Sequence, residues 1–233
     1  LQLFTKSSLV KILWTTIRVC LITTLCSVVI GYLIAYAMVH LVGRERNWML
    51  TLVLISFWVS VLVRAFSWLT LLGRNGLVNA ALVGSGLVEE PISMIRNEFG
   101  VLIGMVHYMV PYAVLPLFAN MQGIDHRVMD ASRSLGAGPL LTFVRIYLPL
   151  TKPGVIAASL LVFIISLGFY VTPALLGGGR VLMVAEYVSV QILITVQWGV
   201  AAMLATLLLS GVLALLYIMS RFMNIGEVFG ARA

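Results

Sequence analysis

The chain has 233 residues, 61% of them hydrophobic and only 10% charged, with a mean hydropathy of +1.09. A soluble domain carries about 25% charged residues, so a membrane domain built from repeated apolar spans is the class that fits. The net charge of +7 comes from basic residues scattered between apolar runs, a pattern that sets membrane topology and points to lipid, with no nucleic acid expected as partner.

Five segments reach the roughly 20 apolar residues that a spanning helix needs: about 19–42, 48–72, 100–121, 154–176 and 200–219. Their backbone groups must be satisfied within each segment, which makes helices the default, and the alternation of a membrane barrel is absent. The expected fold is therefore an all-α polytopic helical bundle forming one domain over residues 1–233. Cys20 and Cys26 lie in the first span and read as small hydrophobes, not as a disulfide or metal ligands. His40, His107 and His126 are too dispersed for a metal site. Pro111 and Pro116 in the third span, and Pro173 in the fourth, are expected to break helices and free carbonyls beside a cavity. Gly100 and Gly104 form a small-xxx-small face suited to helix packing.

The connectors alternate between two sides. Arg44, Arg46, Arg127, Arg133, Arg145, Lys152, Arg221 and Arg232 fall on one; Lys6, Lys11, Arg74, Arg96 and Arg180 fall on the other, with Glu89, Glu90, Glu98 and Glu186. Positive charge favours the cytoplasm, so the first side is inside and the N-terminus outside. Five spans from an outer start imply a sixth upstream of Leu1. The outer connector 73–99 carries turn and capping residues suited to short surface helices. The stretch 181–198 is apolar but holds Glu186, Gln191 and Gln197, and reads as a helix at the outer interface or lining a cavity.

One inner segment, DASRSLGAGPLLTFVRIYLP from Asp130 to Pro149, is polar, basic and punctuated by glycine and proline. Asp125 is placed to cap a short helix through Leu135, and Gly136 to end it in the left-handed region. Val128, Ser132 and Leu135 fall near one face of that helix, with Arg127, Asp130 and Ser134 elsewhere. A second helix is expected over about 140–148, ending before Pro149. The product is a helix-turn-helix platform on the cytoplasmic face, its apolar side suited to a partner protein.

That segment resembles the cytoplasmic loop of permease subunits in binding-protein-dependent ABC importers, whose pattern is Glu-Ala-Ala, three residues, Gly, nine residues, Ile-x-Leu-Pro. The matching positions are Asp130, Ala131, Ser132, Gly136, Ile146, Leu148 and Pro149, with Asp in place of Glu and Ser in place of the second Ala. FWVSVLVRAFSWLTLLGRNGLVN and LGFYVTPALLGGG are similar to stretches of the spermidine/putrescine-type group, which also includes permeases for ferric iron, phosphonates and other small solutes. The resemblance implies a multi-pass protein of the bacterial inner membrane that carries a small solute, a polyamine first among the classes, with ferric iron, phosphonate or amino-acid-like solutes as alternatives. It implies two copies of an ABC ATPase subunit binding at the loop 122–153, a second permease, and a solute-binding protein outside. No GxxxxGK[ST] loop is present, so ATP and Mg belong to the ATPase subunit, and no cofactor and no catalytic residue is expected here. An ion-coupled secondary transporter would want intramembrane carboxylates, and none lies in the five spans.

Candidates for the solute path are Trp58, Arg64, Trp68, Tyr108, Tyr112, Phe169, Tyr170 and Glu186. Aromatic rings stack on a passing ammonium, but they also belt interfaces and fill helix contacts. Arg64 sits toward the outer end of the second span, where a long side chain snorkels or pairs. Direct contact with solute would argue for an anionic or zwitterionic one. Glu186 either steers a cation or is solvated surface.

Overall fold

A computed structural model describes residues 7–222. Lys6 and Arg232 of the charge pattern fall outside them, as does the span expected ahead of Leu1. Among the described residues every regular element is helical.

Helix α1 runs Ser7–His40, a dozen residues earlier than the apolar run suggests. Its first turns are held by contacts rather than by lipid: Leu9 packs with Val184 and Leu204, and the Thr16 hydroxyl accepts from the Val184 amide at 2.9 Å. Helix α2, Arg44–Trp58, and α3, Val61–Leu71, replace the expected second span and meet at 96°. Neither glycine nor proline marks this break; Val59 and Ser60 simply take extended conformations there. Helix α4, Leu77–Gly84, follows in the outer connector.

Helix α5, Glu98–Gln122, is the centre of the bundle, packed against α1, α3 and the later helices. It runs unbroken through Pro111 and Pro116, contrary to the expected breaks. Each proline still removes the donor for a carbonyl four residues earlier, at His107 and Tyr112, but dense packing holds the rod together. Close approach is built in by glycine. A Cβ on Gly31 would stand 2.8 Å from that of Ala113 in α5. One on Gly104 would strike Leu176 at 2.5 Å, as the small-xxx-small pattern anticipates, whereas Gly100 faces the Met94 carbonyl of its own loop.

Helix α6, His126–Ser134, opens the inner platform. Helix α7, Pro139–Thr142, passes through a π-helical turn, Phe143–Tyr147, into α8, Leu148–Leu150. The helix thus continues past Pro149 instead of stopping before it. The wide turn explains why: the Leu148 amide donates to the Phe143 carbonyl, five residues back, which moves the carbonyls away from the proline ring. Helix α9, Lys152–Leu167, leaves the platform at 56° and ends at Gly168, so the fourth span is not one rod to residue 176. Pro173 lies in the first turn of α10, Val171–Gly177, where a missing amide costs little. Helices α11, Val184–Leu193, and α12, Trp198–Phe222, complete the chain. Among the described residues three helices are long and apolar enough to span, and up to five spans result when each bent pair counts as one.

Among the described residues, two larger buried clusters join the bundle, beside the Leu9–Val184–Leu204 one. One joins α1, α5 and α9 through residues such as Met38, Met109, Leu117 and Val162, and takes in Met129 and Tyr147 of the platform. The other joins the outer ends through Val19, Met105, Leu176 and Met183.

Candidate functional site: an inner platform and an aromatic cluster

The platform forms from local chemistry. The Asp125 carboxylate accepts from the Arg127 amide at 2.9 Å, capping α6. At the other end Gly136 sits at φ +86. Its amide donates to Arg133 at 2.9 Å, and that of Ala137 donates to Ser132 at 3.1 Å. This paired bonding terminates a helix through a left-handed residue, and glycine adopts that conformation without a Cβ penalty.

The side expected to face a partner divides in the structure. Met129 and Ser132 are buried, while Val128 and Leu135 are exposed, Leu135 by 89%. The reason is Thr142, on α7 across the turn: its buried hydroxyl meets that of Ser132 at 3.0 Å. Met129 and Tyr147 then key the platform into the core, with Tyr36 edge-on to Tyr147 at 5.4 Å. Of the seven motif positions, Asp130, Ala131, Gly136, Leu148 and Pro149 are exposed, Ile146 is half-buried, and Ser132 faces Thr142. Leu135, Leu140 and Leu141 extend the exposed surface with apolar area. Asp130 and Arg133 lie 3.7 Å apart in solvent, an exposed pair of little energetic weight.

Four of the eight path candidates converge. The Arg64 guanidinium lies 4.8 Å from the centroid of the Tyr108 ring and donates to the Val59 carbonyl at 3.0 Å. Tyr108 packs at a tilt against Phe169, centroids 4.5 Å apart, and stacks with Tyr112 at 5.7 Å. Phe57, which sequence reasoning missed, closes the group edge-on to Tyr112 at 4.8 Å. Arg64 is only 7% exposed, so it neither snorkels nor, among the described residues, meets a carboxylate. Trp68 stands beside this group and donates to His107 Nδ1 at 3.2 Å. Trp58 and Tyr170 are exposed.

Glu186 is on α11, a ten-residue helix too short to span. It is buried, not solvated, and its Oε2 has no partner among the described residues. Burial pushes its carboxyl up to about 7, against the opposing effect of the Met183 backbone.

Between α1, α2, α3 and α5 lies an open hollow of about 780 Å³, lined by Ile22, Cys26, Ile30, Met49, Val53 and other mainly apolar side chains. Among the described residues no three His, Cys, Asp or Glu side chains gather as a metal site. Two structural residues were invisible beforehand. Asn79 is buried and bonds the Gly73 and Ile92 carbonyls and the Ile92 amide, tying the outer connector together. Arg18 pairs with Glu98 at the start of α5. No sequence spacing links either set.

Residues 27–224 match the model of the family described as "Binding-protein-dependent transport system inner membrane component". The spermidine/putrescine transport system permease protein PotB of Haemophilus influenzae is 33% identical over 209 residues, covering 89% of this chain and 73% of that protein. Its counterpart in Escherichia coli is 32% identical, covering 89% and 76%. Among solved structures, a bacterial alginate ABC transporter in complex with an alginate pentasaccharide-bound periplasmic protein superposes with a TM-score of 0.74 at 16% identity, over 94% of this chain and 81% of that one. At that identity the likeness is one of fold.

Proposed function

The chain belongs to the family of binding-protein-dependent transport system inner membrane components, and from that premise we propose that the solute it passes is a polyamine. It is a permease subunit of an ABC importer, working with a solute-binding protein. Two relatives about a third identical over most of the chain are named for spermidine and putrescine. A polyamine also suits the cluster of aromatic rings at Tyr108, Tyr112 and Phe169, since ammonium groups bind π systems.

Coupling is assigned to the platform. One observation carries this: a helix-turn-helix, capped at Asp125 and closed at Gly136, is keyed into the bundle core by Met129 and Tyr147 while Asp130, Ala131, Leu135 and Gly136 stay exposed. Force applied to the exposed side passes directly to α1, α5 and α9. Two ATPase subunits, which bind ATP and Mg, press on this platform and on that of a second permease. The solute-binding protein delivers from the opposite side.

The test is gentle extraction of the native complex, identification of what stays bound, and uptake of labelled putrescine by vesicles energised with internal ATP. Two copies of a P-loop ATPase with a second permease, and ATP-dependent putrescine uptake, are expected. A chain that emerges alone under conditions preserving similar complexes overturns the coupling assignment. An intact complex whose binding protein ignores polyamines overturns the solute.

A further inference from the structure

Arg64 occupies a place chemically fitted to some other cation. The carbonyls ending α2 lose their donors where the helix breaks at Val59 and Ser60, giving that end partial negative charge. The Tyr108 face, backed by Tyr112 and Phe169, supplies the second half of a cation site. Arg64 bridges the two halves, 4.8 Å from the ring centroid and 3.0 Å from the Val59 oxygen. No carboxylate among the described residues fixes it there, so it is held by contacts that a free amine makes equally well.

We infer that Arg64 is a tethered stand-in for the transported ammonium: its guanidinium fills the Tyr108–Val59 cation site when no solute is present, and an amine entering the path displaces it. This rests on the polyamine reading above. An arginine in the path of a cation is then no contradiction. It closes the site to stray inorganic cations, and its departure removes one link between the α2–α3 break and α5. A site without a full counter-charge binds an amine weakly enough to let it go, as conduction requires.

The experiment uses the whole importer in nanodiscs, without binding protein, and measures retention of labelled putrescine. Wild type and Arg64→Lys should show little saturable retention, because each keeps a tethered cation. Arg64→Ala should retain putrescine about ten-fold or more tightly, and added guanidinium should compete it off. Adding Tyr108→Leu to Arg64→Ala should abolish the gain. If the alanine variant fails to assemble, Arg64→Gln keeps bulk and a donor for Val59 without charge and should behave likewise. ATP-dependent putrescine uptake by wild type in the vesicle assay, with no gain of nanodisc retention in either neutral variant, overturns the inference alone. Absence of wild-type uptake overturns the polyamine reading and this inference with it.

Discussion

The Ser132–Thr142 contact permits a sharp test of how the inner platform keeps its shape. Both residues are buried, 6% and 4% exposed, and their hydroxyls meet at 3.0 Å. A neutral hydrogen bond contributes about 0.5–1.5 kcal/mol net, but a buried partner left unsatisfied costs about 1–3 kcal/mol. Ser132→Ala and Thr142→Val should each therefore destabilise the platform by about 1–2 kcal/mol. The double variant, with nothing left unpaired, should lose far less than the sum, giving a coupling energy of about 1 kcal/mol. Trypsin reads this directly, since Arg133 and Arg145 flank the contact and are exposed. When opening is fast relative to cleavage, the rate follows the open population, so each single variant of the full chain in detergent should be cut about ten-fold faster. Strictly additive variants would rule this coupling out. They would mean that each hydroxyl finds its own backbone carbonyl one turn back and that the two helices are joined by shape alone.

Gly136→Asp forces a Cβ into φ +86, though open space surrounds it. About 1–3 kcal/mol of backbone strain should distort the exposed turn and abolish solute-stimulated ATP hydrolysis while the subunit stays in the membrane. Normal stimulation in that variant would remove the coupling assignment. Gly31→Ile drives a branched side chain into a gap of 2.8 Å to the Ala113 Cβ; a cost of about 1–3 kcal/mol or more should appear as a lower thermal midpoint of the complex. Asn79→Ala removes three hydrogen bonds and exposes the need for each, so hydrogen exchange across 73–93 should accelerate by an order of magnitude or more. Glu186 keeps its proton in the folded protein up to about 7, against 4.5 ordinarily. Unfolding therefore releases that proton between those values, and stability falls as pH rises through the window. Glu186→Gln should leave thermal stability unchanged below the window and raise it above, as scanning calorimetry across pH would record.

Much of the inner platform was legible from local chemistry alone. A carboxylate before a helix and a glycine after it act within a few residues, so Asp125 and Gly136 could be placed without knowing their surroundings. The inward face could not. Periodicity groups Ser132 with Val128 and Leu135 on the side left for a partner, and those two do stay exposed, but Ser132 turns inward because Thr142 waits across the turn and Met129 because the bundle core does. Similarly, the aromatic types around Arg64 were evident, yet their meeting depends on a break at Val59–Ser60 that no glycine or proline announces.

Composition and hydrophobic run length by themselves determined the class, an all-α membrane bundle, because unpaired backbone is intolerable in lipid and only helices of sufficient length solve that within one segment. The spacing from Asp130 to Pro149 determined the family resemblance for the same local reason. Tertiary structure decided what those segments do to one another. Prolines that break isolated helices are carried through α5 without interruption by packing on several sides, while α2 and α3 part where no residue demands it. It also decided that a buried arginine, read alone as a charge seeking water or an anion, rests on a tyrosine face and a broken helix end. Such contacts join residues far apart in the chain, so the free energy that selects them is absent from any single stretch of it.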